Sequence, residues 1–190
     1  MKNYTKEWDR YCSINNKYNI SRGLNEHDLN CLLHYASEFL SNSVYVEIGV
    51  SEGSSISAMA GFRPDINCYG VEIEGIEKSS NVIKQEGLDN VTLIHGGSAD
   101  ICKTWDKEID MMFIDGDHNS PQVFLDVIGW FPYIRSNGVI LFHDYETGKF
   151  GRQYDVCDLS KVFKNHNRFK TYIPSEDDCI SSSMMIVTKL

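Results

Sequence analysis

The chain has 190 residues, of which 42% are apolar, and a formal net charge of −9. This length suits one domain with a sizeable core, and this apolar share excludes a disordered chain. The acidic balance, with no Lys/Arg block, argues against a nucleic-acid partner and against docking on an anionic membrane.

Taken in order, residues 1–20 are polar and interleaved with Tyr4, Trp8, Tyr11 and Tyr18, which predicts a short helix. The aromatic residues read as anchors to the core; a substrate entrance or a contact in a homo-oligomer is the alternative. A turn at residues 21–25 precedes a helix to about Leu40, where Leu29, Leu32, Leu33, Ala36 and Phe39 recur at helical spacing. From Val44 onward strands and helices alternate. Strands are expected near residues 44–49, 67–72, 91–95, 109–114 and 139–142. Helices are expected near 53–61, 75–86, after Ser98, and from about Pro121 to Tyr133. A helix near 156–164 and strands near 169–173 and 183–188 complete the chain. The strands are continuous apolar runs, as parallel strands covered on both faces require. The expected fold class is therefore α/β, a doubly wound sheet with helices on both faces. It forms one domain over 1–190, with a helical segment (1–43) leading into the core (44–190).

Cys12, Cys31, Cys68, Cys102, Cys157 and Cys179 form neither C-x-x-C nor a zinc spacing, so they read as free thiols in a reducing compartment. No run is apolar enough to span a membrane and no signal peptide is evident, so a cytoplasmic protein is expected.

Val44-Tyr-Val-Glu-Ile-Gly-Val-Ser-Glu-Gly-Ser-Ser55 reads as strand, tight turn and helix start. Gly49 and Gly53 let backbone approach a ligand closely, and the helix start adds free N–H donors. Ser51 and Ser54 stand where a dinucleotide fingerprint would have its second and third glycines. Glu47 at the strand end repels a pyrophosphate and attracts an ammonium. Glu72 ends the next strand, a position that suits a carboxylate gripping ribose hydroxyls. An amino acid joined to a nucleoside without phosphate describes S-adenosylmethionine.

Glu47-Ile-Gly-Val-Ser-Glu-Gly-Ser-Ser55, Val71-Glu72, Gly97-Ser98, Phe113-Ile-Asp-Gly-Asp-His118 and Gly138-Val-Ile-Leu-Phe-His-Asp144 together resemble the motif series of class I S-adenosylmethionine-dependent methyltransferases. The series is similar to that of small bacterial enzymes related to the macrolide-sugar O-methyltransferases, and more distantly to that of the catechol O-methyltransferases. The resemblance covers roughly residues 44–145. It implies a Rossmann-like, seven-stranded sheet whose last strand runs antiparallel beside the fifth. It also implies that Glu47 holds the methionine ammonium, Ser55 reaches the carboxylate, Ser51 and Gly53 shape the turn, and Ser98 contacts adenine. Asp115 would stand at the pocket mouth.

His118 matches the position of the proposed general base in both related families, and imidazole titrates near working pH. Its rival for that role is His143. Asp144 matches a metal aspartate, and with Asp115 it would bind Mg²⁺ through oxygen ligands. His143 stands where the sugar enzymes carry Glu, and Tyr145 where the catechol enzymes carry Asn. An imidazole ligand would favour another divalent metal; the alternative makes His143 a hydrogen-bonding acid or base with no metal. Asp117 is an alternative ligand or a turn residue, and Asp100 favours the helix start through the dipole. His27, His34, His95 and His166 lack a partner pattern.

These readings lead to an S-adenosylmethionine-dependent O-methyltransferase with a small-molecule hydroxyl acceptor, a sugar or glycoside in particular. The rivals are a dinucleotide-dependent oxidoreductase and a non-catalytic methyltransferase-fold scaffold. Acceptor choice is assigned to the first forty residues and the glycine-bearing loop 146–152.

Overall fold

The computed structural model describes residues 4–145, 155–177 and 182–190. The loop 146–152 and Cys179 lie outside them. Seven strands form one sheet: β1 (Val44–Ile48), β2 (Asn67–Glu72), β3 (Val91–His95), β4 (Ile109–Ile114), β5 (Ile134–Phe142), β6 (Phe169–Tyr172) and β7 (Met185–Lys189). Their order across the sheet is β3-β2-β1-β4-β5-β7-β6. β1 pairs in parallel with β2 and β4, and β7 runs antiparallel between β5 and β6. The antiparallel last strand beside the fifth is thus present.

Alternate residues of each strand enter opposite layers. Tyr45, Met111, Phe113 and Leu141 meet α1 (Thr5–Tyr18), α2 (Glu26–Ala36) and α3 (Ser54–Phe62) through Tyr11, Leu29, Leu32, Ile56 and Met59. Val46, Ile48, Met112, Ile140 and Phe142 meet α6 (Gln122–Trp130) and α7 (Val156–Lys164) through Val123, Trp130, Leu159 and Phe163. The remaining helices are α4 (Ile76–Gln85) and two short ones, α5 (Ser98–Ile101) and α8 (Pro174–Asp177). Burial of such side chains is worth about 1.5–3 kcal/mol each, so continuous apolar strands are satisfied only in a two-sided sandwich.

The N-terminal helices belong to this core. Tyr4 and Tyr11 are buried, and Trp8 and Tyr18 pack against buried clusters, as expected of anchors. α1 runs to Tyr18, where Asn19 turns left-handed at φ 50°. The side chain of Asn25 caps α2, accepting from the N–H groups of His27 and Asp28. α2 ends at Ala36, four residues short of the expected Leu40. The guanidinium of Arg63 takes the carbonyls of Ala36 and Phe39, and the Ser37 hydroxyl donates back to His34 O. β5 begins at Ile134 rather than Val139. Its register jumps from Ile109↔Ile134 to Met111↔Val139, and Asn137 in that bulge has φ 62°.

Candidate active site at the carboxyl ends of the strands

The parallel strands all end on one edge, where open α/β sheets gather their functional residues. The β1–α3 turn carries two glycines with positive φ, Gly49 at 86° and Gly53 at 90°. A Cβ on Gly49 would clash with Asp115 O, and one on Gly53 would stand 3.0 Å from Ser79 Cα. Both glycines are therefore required by close backbone approaches, to the end of β4 and to α4. Ser51, with φ 50°, donates its N–H to Glu72 Oε2 at 2.5 Å. Glu72 Oε1 accepts from the N–H groups of Ile73 and Glu74. The carboxylate at the end of β2 thus ties two strand-end turns together while lining a pocket of about 720 Å³.

Glu47 is fully buried, with the hydroxyls of Tyr45 and Ser55 each donating to it at 2.6 Å. Burial pushes its carboxyl up to about 8, against the pull of those two donors. Ile48 and Gly49 line the pocket, whereas Glu47 and Ser55 do not.

At the other side of Asp115 is a cluster of imidazoles and carboxylates. Asp115 follows β4, and His143 and Asp144 follow β5, where Asp144 has φ 56°. His143 Nδ1 lies 2.8 Å from Asp115 Oδ1 and 3.5 Å from Asp144 Oδ1; its Nε2 lies 3.5 Å from Asp28 Oδ2 on α2. His118 Nε2 lies 3.3 Å from Asp144 Oδ2 and 3.7 Å from Asp115 Oδ1. Asp28 is itself buried and accepts from the Ser182 hydroxyl and the Ser183 N–H. The loop after β4 is pinned by Asp155, whose N–H donates to His118 O and whose carboxylate accepts from the Ser120 N–H. Asp117 accepts from Asn119 and acts in that turn. The loop before α2 passes over the cluster: a Cβ on Gly23 would stand 3.9 Å from Asp115 Oδ2, and the Ser21 N–H donates to Glu52.

The two histidines differ electrostatically. Burial lowers His118 below its usual value despite Asp144 and Asp115, so it is neutral. Burial also opposes charge on His143, but its hydrogen bonds to Asp115 and Asp28 prevail and push it up to about 10. Desolvation likewise opposes charge on Asp28, and the His143 hydrogen bond reverses this, holding it below the usual carboxylate range.

The third part lies beyond Glu72. Ser98 starts α5 and its hydroxyl donates to Asp126 on α6. Gln122 Nε2 donates to Ser98 Oγ at 3.1 Å and to Asp126 Oδ1 at 2.7 Å. All three line the pocket. Asp100 is exposed and pairs with Lys103 at 2.6 Å.

Among the described residues, one ligand atom each from Asp115, His118 and His143 lies within 4.8 Å of the others. A mixed nitrogen and oxygen set of this kind suits a divalent transition metal better than Mg²⁺. With Nδ1 turned to a metal, His143 Nε2 would donate to Asp28, the usual second partner of a ligating imidazole. A second cavity, of about 700 Å³, is lined by Arg10, Asn67, Glu86 and Asn90 and holds no histidine.

Sequence reasoning did not single out Asp28, Gln122 or Asp126. Asp28 lies three and four residues before Cys31 and Leu32, and Asp126 four before Trp130, all buried. A charged residue on the apolar stripe of a helix was the available signal.

The sequence profile of the methyltransferase domain family matches residues 46–145, just over half of the chain, from β1 through the end of β5. The chain belongs to the methyltransferase domain family. Within it, the strand order and the strand-end acidic residues agree with the class I, S-adenosylmethionine-dependent group. A tRNA (guanine-N(7)-)-methyltransferase of Oceanobacillus iheyensis is 29% identical over an alignment covering 94% of this chain and 87% of that enzyme. An uncharacterised protein of Acanthamoeba polyphaga mimivirus is 32% identical over 121 residues, 57% of this chain and 54% of its own length. The chain thus spans about half the length of that relative. The fold is similar to that of the O-methyltransferase TomG of Streptomyces achromogenes, solved with S-adenosylmethionine. The TM-score is 0.71 at 14% identity, covering 97% of this chain and 89% of that one. No helix among the described residues is long and apolar enough to cross a membrane.

Proposed function

We propose that this chain is an S-adenosylmethionine-dependent O-methyltransferase whose acceptor is a hydroxyl of a small molecule, in particular a sugar or glycoside. One arrangement carries this reading. Glu72 and Asp115 line the same pocket, and Asp115 also borders the His118, His143 and Asp144 cluster. A nucleoside held by Glu72 would therefore extend its reactive end toward a neutral imidazole. TomG, an O-methyltransferase, shares the fold.

In this reading Glu72 accepts from the ribose hydroxyls and Asp115 borders the cofactor. Glu47 is a buried acid that an incoming methionine ammonium would help to ionise. His118 takes the acceptor proton as the methyl carbon leaves the sulfonium sulfur and bonds to the acceptor oxygen. His143, held as an imidazolium by Asp115 and Asp28, orients the cluster instead of serving as the base. Alignment of acceptor and methyl group supplies much of the rate. Deprotonated at Nδ1, His143 would instead offer with Asp115 and Asp144 a donor set for a divalent cation, leaving His118 free as the base. Such an ion would supply Lewis-acid stabilisation of an acceptor oxygenate.

A second reading has an RNA acceptor, because the similarity to the O. iheyensis enzyme extends over 94% of the chain. The acidic pocket rim, with Glu72, Glu74, Asp100, Asp115 and Asp117, would repel phosphates and favours the small acceptor. The test is transfer of labelled methyl from S-adenosylmethionine to sugar nucleotides, glycosides, catechols and a tRNA transcript. Label on a hydroxyl of a small acceptor is the expected result. Label on tRNA alone overturns the small-molecule reading. Tight binding of NAD with none of S-adenosylhomocysteine overturns the cofactor.

A further inference from the structure

We propose that Gln122 reads the exocyclic amine of the cofactor's adenine, and that Ser98 and Asp126 hold it in the orientation to do so. This rests on the S-adenosylmethionine reading above. With the ribose on Glu72 and the methionine end toward Asp115, the base is left with the end of the pocket formed by Ile73, Gly97 and Ser98. Ile73 offers an exposed apolar side chain there for a flat ring.

Ser98 is the obvious polar group at that end, yet its hydroxyl proton is committed to Asp126 and its oxygen accepts from Gln122. Gln122 has two amide protons, and both are engaged, one by Ser98 Oγ and one by Asp126 Oδ1. An amide flipped the other way would set its oxygen against the Asp126 oxygen, acceptor against acceptor. The network therefore fixes the side chain with Oε1 as its remaining polar atom, and that atom is an acceptor. An acceptor selects an amino group over a keto group at the purine edge.

Asp126 is fully buried, and among the described residues its Oδ2 has no hydrogen-bond partner and none of its hydrogen bonds comes from a cation. A carboxyl in such surroundings is costly to keep. Orienting Gln122 accounts for it, since Oδ1 remains an acceptor whether or not Oδ2 carries a proton. Gln122 is then the residue that determines base specificity, and Asp126 and Ser98 are positioning residues acting through it.

The test compares binding of S-adenosylhomocysteine with binding of its deaminated analogue, S-inosylhomocysteine, by calorimetric titration. The wild-type protein should prefer the adenosyl compound by about tenfold or more, the effect of one hydrogen bond against an unpaired acceptor. Gln122→Met keeps length and removes the acceptor, so the preference should collapse, mainly through weaker adenosyl binding. Asp126→Asn frees the amide to flip and should narrow or reverse the preference. Equal binding of both compounds to the wild-type protein, or an unchanged ratio in Gln122→Met, overturns this inference alone. Failure of the wild-type protein to bind S-adenosylhomocysteine overturns the cofactor reading and this inference with it.

Discussion

Asp28 on α2 and His143 at the end of β5 face each other at 3.5 Å, both buried, across the junction between the N-terminal helices and the sheet. Asp115 holds the other ring nitrogen at 2.8 Å, so the imidazole is clamped between two carboxylates. Removing one member of a buried ion pair leaves the other uncompensated, at a cost of about 3–5 kcal/mol.

The first prediction is a pH dependence of stability. His143 has its folded value raised from 6.5 to about 10, so its contribution is fully present below about 6.5 and is lost as pH rises through 10. Asp28 has its folded value lowered from 3.8, so its contribution is present above that value and is lost as pH falls through the folded one. Urea unfolding midpoints should decline from pH 6.5 to 10 and in acid. Asp28→Asn should lower the midpoint near neutrality and flatten the alkaline decline. Parallel alkaline curves for the two proteins would remove Asp28 from the clamp.

The second prediction concerns Glu72. It accepts backbone N–H groups from Ser51, Ile73 and Glu74 while lining the pocket. Hydrogen bonds to a charged group are worth about 1.5–3 kcal/mol, so Glu72→Ala should weaken S-adenosylhomocysteine binding at least tenfold. Because the same change loosens two turns, Glu72→Gln serves as the milder control. Calorimetric titration of the folded variants measures it, and unaltered affinity in Glu72→Ala would place the ribose elsewhere.

How much of this was legible in the sequence follows from which side of an element carries the information. The strands were readable because Val44–Ile48 and Ile109–Ile114 are covered on both faces and so are apolar at all but one position each, Glu47 and Asp110. The strand-end residues Glu72, Asp115, His118, His143 and Asp144 could be marked because each stands where an apolar run or its motif stops. The early start of β5 was hidden because Asn137-Gly138 reads as a turn, and a left-handed bulge satisfies the same residues. Asp28 and Asp126 were hidden because a charge in an amphipathic helix is normally solvated. Their partners, Ser182 and Ser183 for one and Ser98 for the other, are brought near only by the tertiary fold.

The third prediction concerns the metal. If Asp115, His143 and Asp144 hold a divalent ion, EDTA should abolish turnover and Mn²⁺ should restore it better than Mg²⁺, given the imidazole donors. S-adenosylhomocysteine binding should change little, since Glu72 stands apart from the cluster. Full turnover in EDTA would decide for hydrogen bonding alone at His143.

The last prediction assigns the base. His118 and His143 are neighbouring imidazoles in one cluster, with ring centroids 6.3 Å apart, but they sit in opposite electrostatic states. Burial holds His118 below its usual value, whereas Asp115 and Asp28 keep His143 protonated up to about 10. A general base must be neutral before it accepts a proton, so at pH 7 His118 is ready and His143 is not. Turnover should therefore rise with pH through an ionisation below 6.5 and be flat by neutrality. His118→Ala should lower turnover by roughly 10²–10⁴-fold with cofactor affinity nearly intact, the usual contribution of a positioned base. His143→Asn removes a cation from between two carboxylates, so its main losses should be in stability and in acceptor binding. An activity limb that rises only near pH 10, with near-normal turnover in His118→Ala, would move the base to the end of β5.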